Sequence, residues 1–113
     1  MEKLRYTSLK KGDILLIKLA GSLDLNTASK LSDKLGDEIK KGARKIVLNL
    51  AGVDYMASAG LGTIISAENM LTKNGGELRL SSLSEKITKI FELIGFSHVF
   101  KTFDSDDEAV NSF

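Results

Sequence analysis

The chain has 113 residues, 42% hydrophobic and 27% charged, and its 16 basic and 15 acidic residues leave a net charge of +1. This bounds it to one ordinary domain with its own core, residues 1–113, and gives no support for a nucleic-acid or membrane partner recruited by bulk charge. The absence of cysteine excludes disulfide and thiol chemistry and fits a reducing cytoplasm. No apolar run approaches the ~20 residues that span a bilayer, and Met1-Glu2-Lys3-Leu4-Arg5 carries no apolar signal core.

Residues 4–9, LRYTSL, read as an edge strand, with lysines directly after it. Lys10-Lys11-Gly12-Asp13 reads as a hairpin turn. Residues 14–20, ILLIKLA, are nearly all apolar and predict a strand covered on both faces, antiparallel to the first. Gly21-Ser22-Leu23-Asp24-Leu25 leaves that strand, and Asn26 or Asp24 caps the helix that follows. In that helix Ala28, Leu31, Leu35 and Ile39 recur at spacings of three and four. Lys30, Lys34, Asp37 and Lys41 take the other face, and Gly42 is the stop.

Residues 45–50, KIVLNL, predict a second buried strand, parallel to its predecessor because a helix crosses between them. The pattern then repeats. A helix from Ser58 to about Lys73 carries Leu61, Ile64, Ile65 and Leu71 on or near one face and ends at Asn74-Gly75-Gly76. Residues 77–81 alternate as a strand does. Ser84 caps a helix with Ile87, Ile90, Phe91 and Ile94 on its apolar face and Gly95 as its stop. Residues 99–103 are a short strand. Residues 104–113 form a last helix, with Asp104 as cap and Asp106, Asp107 and Glu108 favouring its N-terminal dipole. Ala109, Val110 and Phe113 face inward in it. The order is β-β-α-β-α-β-α-β-α, an α/β fold with a mixed, mainly parallel sheet of about five strands flanked by four helices.

Loops leaving the carboxyl ends of parallel strands lie along one edge of such a sheet, where ligand or partner sites form. Asp24, Ser58 and the pair Ser81-Ser82 all follow such strands. Asp24 and Ser58 are therefore expected as neighbours in space.

The residues between the 45–50 strand and the helix after it concentrate what chemistry the chain offers. Ala57-Ser58-Ala59-Gly60-Leu61-Gly62 holds one hydroxyl and two glycines at a change of periodicity. No Ser-His-Asp set, metal-ligand cluster or G-x-S-x-G elbow is present, and the one histidine, His98, reads as a core or surface residue. The G-x-G lacks the third glycine of a dinucleotide fingerprint and the Gly-Lys-Ser/Thr of a P-loop. No cofactor and no metal is expected. A nucleotide-hydrolysing enzyme built on this turn is the weakest of three functional readings.

Two readings of Ser58 stay open on the residues alone. At the N-cap of its helix the hydroxyl would bond a backbone N–H and contribute ~1 kcal/mol. The same place would accept a phosphate on Ser58 without refolding, because free N–H groups and the helix dipole favour an anion there. Gly60 and Gly62 each weaken a helix by ~1 kcal/mol relative to alanine. Close helix–sheet packing at Gly62 would explain one of them. Lys30, Lys34, Lys40, Lys41, Arg44 and Lys45 form a basic side around the first helix, read as a solvated face.

Two segments together resemble the STAS-domain family, in particular its single-domain anti-sigma factor antagonists. Gly21-Ser22-Leu23-Asp24-Leu25-Asn26-Thr27-Ala28 is similar to the family's G-x-L-D-x-x-T-A. The stretch from Leu48 through Val53-Asp54-Tyr55-Met56-Ala57-Ser58-Ala59-Gly60-Leu61-Gly62 is similar to its strand, loop and D-S-[SA]-G-L-G, with Ala57 where the family usually has Asp. The resemblance covers nearly the whole chain and implies a non-enzymatic regulator. Such a protein binds an anti-sigma factor that is itself a serine kinase, and so frees the sigma factor. The kinase would phosphorylate Ser58 and dissociate, and a serine phosphatase would reverse this. The same resemblance implies partner contacts at Asp24, Asn26, Thr27, Ala57, Ser58, Ala59, Gly60, Leu61 and Gly62. The alternative is a non-switching STAS scaffold, a subunit of a signalling or lipid-transport assembly, in which Ser58 only caps its helix.

Overall fold

The computed structural model describes residues 3–96 and 98–113. Its elements are β1 (Arg5–Lys11), β2 (Ile14–Leu23), α1 (Leu25–Lys40), β3 (Lys45–Met56), α2 (Ser58–Lys73), β4 (Glu77–Ser81), α3 (Glu85–Leu93), β5 (Lys101–Phe103) and α4 (Asp106–Asn111). The strands form one sheet in the order β1-β2-β3-β4-β5. β1 runs antiparallel to β2, and every other pairing is parallel. The predicted order of elements is therefore the observed one.

The first hairpin is tighter than its residues suggested. Lys11 pairs with Ile14, so Lys10 and Lys11 belong to β1 and the turn is Gly12-Asp13 alone. Gly12 takes a φ of 63°, a left-handed conformation that glycine adopts without strain. β1 is exposed along its whole length, as an edge strand carrying lysines tolerates.

Alternation along the strands divides the apolar residues between two faces. Leu15, Ile17 and Leu19 of β2, Ile46, Leu48 and Leu50 of β3, and Leu78 and Leu80 of β4 share one core with the helices. α1 supplies Leu31, Leu35 and Ile39, α2 supplies Leu61, Ile64 and Leu71, and α3 supplies Ile87 and Phe91. Ile14, Leu16 and Val47 meet Ala109 of α4 on the other face, with Phe103, Val110 and Phe113 packed around them. Six residues of helix cannot cover a sheet face, so β2 is covered on both sides only over its first four residues and Lys18 is exposed. The expectation of full burial for residues 14–20 fails for that reason.

The larger departure is at the carboxyl ends. β2 and β3 do not stop near Ala20 and Leu50. Their pairing continues through Ala20↔Gly52, Gly21↔Val53 and Ser22↔Tyr55 to Leu23↔Met56. Register shifts between Lys18 and Ala20, and between Gly21 and Ser22, place extra residues in β3. Bulges of this kind break the period of two. Leu50, Val53 and Met56 are consequently buried at a spacing of three, which hides the strand from a pattern search. β4 ends where Ser81 pairs with Asn49. The β2–β3 ribbon thus runs roughly 20 Å past β4, at ~3.3 Å per strand residue.

The last elements are shorter than predicted. β5 begins at Lys101 rather than at residue 99. α4 is capped by Ser105, whose side chain accepts from Glu108 N, and not by Asp104. The buried Arg79 anchors the segment after it. Its Nε donates to Ser112 Oγ at 3.0 Å, and its guanidinium carbon lies 4.4 Å from the Phe113 ring centroid.

Candidate functional site

The outer end of the β2–β3 ribbon assembles the predicted residues. Leu23 and Met56 are register partners, and each is followed directly by a helix start. Ala57 N donates to Leu23 O at 2.8 Å, which ties the second start to the first. Asp24 and Ser58 are thereby brought together at adjacent helix N-termini, as their places after parallel strands implied.

Asp24 is the N-cap of α1, which settles the choice between it and Asn26. Its Oδ1 accepts from Asn26 N at 2.8 Å and from Thr27 N at 2.9 Å. Asp24 N donates back to Thr27 Oγ1 at 2.9 Å, completing a capping box. The Thr27 hydroxyl also reaches Ser22 O at 2.7 Å. Asp24 and Thr27 therefore fix the end of the ribbon to α1, whatever else they do. Asn26 is exposed.

The N-cap of α2 is Ala57, not Ser58. Ala57 has the extended backbone of a cap, φ −91° and ψ 169°, but no side chain able to accept a hydrogen bond. Ser58 is the first helical residue and is exposed, and its hydroxyl makes no hydrogen bond to another described residue. The capping role expected for Ser58 is thus vacant at the residue before it, because β3 extends to Met56 and sets the helix start one position earlier.

The two glycines of the motif part company. A Cβ at Gly60 would lie 2.9 Å from Leu23 Cβ and 3.2 Å from Leu23 O, so glycine lets α2 close onto the end of β2. A Cβ at Gly62 would meet nothing within 4 Å. The close packing proposed for Gly62 belongs to Gly60 instead. Leu61 is buried and serves the core, while Ala59 is half-buried.

Ser81 and Ser82 do not join this assembly. They leave β4 in the same direction but from far back along β3. Ser81 is fully buried and donates to Asp106 Oδ1 at 2.6 Å. Ser82 is held with φ 57° by its N–H on Phe103 O.

One hydrogen bond and two exposed apolar side chains at the ribbon end escaped the sequence reading. Ser22 Oγ donates to Asp54 Oδ1 at 3.0 Å, across the two strands. No sequence signal marks that pair, since the bulges set its register. Leu25 would continue the apolar stripe of α1, three residues before Ala28, yet it is 78% exposed. Tyr55, the register partner of Ser22, is 48% exposed. The end of the ribbon therefore carries two carboxylates, an exposed serine hydroxyl and apolar surface. Cavities of about 350 and 360 Å³ lie elsewhere, one between α3 and β5 and the other beside Tyr6 and Lys30. No group of three or more His, Cys, Asp or Glu able to hold a metal occurs among the described residues.

Comparison with known proteins gives a consistent result. The model of the STAS domain matches residues 6–109. BtrV of Bordetella bronchiseptica is 31% identical over 97% of this chain and 95% of its own length. The anti-sigma-B factor antagonist of Bacillus subtilis is 34% identical over 74% of this chain and 75% of its own. Among solved structures, the Bacillus cell fate determinant SpoIIAA in its phosphorylated form has a TM-score of 0.74 at 22% identity, covering 96% of this chain and 98% of that one.

Proposed function

The chain belongs to the STAS domain family, and from that premise we propose that it is an anti-sigma factor antagonist switched off by phosphorylation of Ser58. The unmodified protein binds an anti-sigma factor that is a serine kinase and thereby releases a sigma factor. It works in the cytoplasm, where those partners are, and it is the substrate of the kinase and of an opposing serine phosphatase rather than an enzyme itself.

One observation carries this reading. Ser58 is exposed, uncommitted to any described partner, and placed beside Asp24 by the Leu23↔Met56 register. A hydroxyl free of internal hydrogen bonds is open to phosphoryl transfer at no structural cost. The phosphate would add about −1.5 to −2 charges at the helix start adjacent to the one that Asp24 caps. Covered by a partner, that charge would oppose docking through repulsion and desolvation, with no change of fold needed. The phosphorylated form of SpoIIAA shares this fold, which is consistent with a switch that needs no refolding.

The non-switching scaffold is the weaker reading, because it assigned Ser58 to capping α2 and Ala57 holds that position. Incubation with the anti-sigma kinase and ATP, followed by mass spectrometry, tests the switch. The expected outcome is one phosphate on Ser58 and loss of the complex. A kinase that binds tightly but leaves Ser58 unmodified would remove the switch and leave binding in place.

A further inference from the structure

Ser81 and Ser82 take no part in the ribbon end, but the residue after them, Leu83, lines the cavity of about 350 Å³ between α3 and β5. The sheet topology explains why a cavity forms there. α1, α2 and α3 pack on one face of the sheet, while Ala109 of α4 packs on the other. β4 and β5 are parallel neighbours. The chain leaving β4 therefore passes to the first face, and the chain leaving β5 passes to the second. Among the described elements this divergence occurs nowhere else, since β2 and β3 also send their helices to the first face. Where neighbouring parallel strands diverge in this way, a crevice opens outside their carboxyl ends, and ligands of open α/β sheets bind in such crevices.

The walls of the crevice sort by burial. Phe91 is buried, and Leu83 and Phe103 are half-buried. Thr88, Glu92, Thr102 and Asp104 line the exposed part. The apolar walls are fixed from behind. The Phe91 ring centroid lies 5.9 Å from that of Phe100, and Phe103 O accepts from Ser82 N at 2.9 Å. The polar side chains are uncommitted, for none of the four has a hydrogen-bond or ion-pair partner among the described residues. No basic residue among those described lines the cavity. Lys89 and Lys101 adjoin lining residues in sequence, but they pair with Glu85 at 3.6 Å and Glu77 at 3.9 Å. An apolar floor with a few polar groups at its mouth, in a volume of this size, is the make-up of a small-molecule site.

We propose that this crevice binds a small primary amine with an apolar or aromatic body. The body lies against Phe91, Leu83 and Phe103. The ammonium sits at the mouth, where Glu92 and Asp104 accept charge-assisted hydrogen bonds from it and a threonine hydroxyl takes the third N–H. Two carboxylates without a cation of the chain's own select a positive group and repel a negative one. The site is separate from Ser58 and does not depend on the phosphorylation switch.

The test titrates the full chain with phenylethylamine and, separately, with phenylacetate and phenylethanol, which keep the ring and replace the cation. Backbone amide shifts by NMR and the melting temperature are the readouts. The expected result is that phenylethylamine shifts the amides of Thr88, Glu92, Thr102 and Asp104 saturably, with a Kd of about 1 mM or tighter, and raises the melting temperature. Phenylacetate should do neither. The double variant Glu92→Gln/Asp104→Asn alters two exposed side chains. It should melt with the wild type and bind the amine roughly tenfold more weakly. No saturable shift at these amides by about 10 mM amine would overturn the inference. So would equal binding of phenylacetate or phenylethanol, or unchanged affinity in the double variant. Should the double variant melt low, the wild type's preference for the amine over the two other probes decides alone: with it the inference stands, and without it the inference falls.

Discussion

Asn49 Nδ2 donates to Asp106 Oδ1 at 2.8 Å, joining the middle of β3 to the first residue of α4 across 57 positions of sequence. The other end of the same side chain is also used, since Asn49 Oδ1 accepts from Ala51 N at 2.8 Å. Asp106 gathers Ser81 Oγ at 2.6 Å as well, and Lys18 Nζ lies 4.0 Å from its Oδ2. A residue able to donate and accept is therefore required at position 49. An aspartate there would set a second carboxylate against Asp106 and lose the donor.

Asn49→Asp is accordingly expected to destabilise the protein by ~2 kcal/mol at neutral pH, through like-charge repulsion and a lost hydrogen bond to a charged acceptor. Asn49→Asp should regain part of this as acid protonates one of the two carboxyl groups. Urea denaturation of the wild type and the variant at pH 7 and pH 4.5 would measure both. Equal stability at pH 7 would show that the pairing carries no weight.

Ala57→Asp should stabilise the fold by ~1 kcal/mol. The backbone at Ala57 already has cap geometry and only the accepting side chain is missing. For a domain of this size the melting temperature should rise by several degrees, roughly 4 °C. Calorimetry decides it, and an unchanged or lower melting point would mean that the first turn of α2 cannot use a cap.

Gly60→Ala should behave oppositely to a change at Gly62. Its Cβ would press on the side chain and carbonyl of Leu23, where backbone must give way, and overpacking of this kind costs ~1–3 kcal/mol. Chemical denaturation reads the loss directly. The helix-propensity gain of alanine, ~1 kcal/mol, offsets only part of it.

Glu68 gives a pH signature. Burial raises its carboxyl pKa above the ordinary 4.5, against a smaller opposing pull from Arg79. The raised value means that ionisation at neutral pH opposes folding. This penalty is absent below the unfolded pKa, grows as pH rises through the folded one, and is complete above it. Glu68→Gln should therefore be more stable than the wild type at pH 7 and indistinguishable from it near pH 3.5. Glu77 works in the other direction. Its hydrogen bond and ion pair with Arg79 lower its pKa, so its contribution is present at neutral pH and is lost as acid titrates it. A Glu68→Gln protein no more stable than the wild type at pH 7 would contradict this assignment.

The order of elements, the parallel sheet and the apolar faces of α1, α2 and α3 were legible in the sequence. Periods of two and 3.6 residues are local consequences of backbone geometry, and Leu31, Leu35, Ile39, Ile87 and Phe91 obey them. The motif around Ser58 was legible for the same reason, because hydroxyl, glycines and the change of period all lie in consecutive positions. Three things were decided only in the folded chain. The bulges in β3 carry the strand to Met56, which moves the cap of α2 from Ser58 to Ala57 and leaves the serine hydroxyl without a hydrogen bond among the described residues. The approach of α2 to Leu23 separates Gly60 from Gly62, which are equivalent by propensity. The pairing of Asn49 with Asp106 gives a purpose to a polar residue inside an apolar strand. Each depends on atoms distant in sequence coming within a few ångströms, and no local period encodes such a meeting.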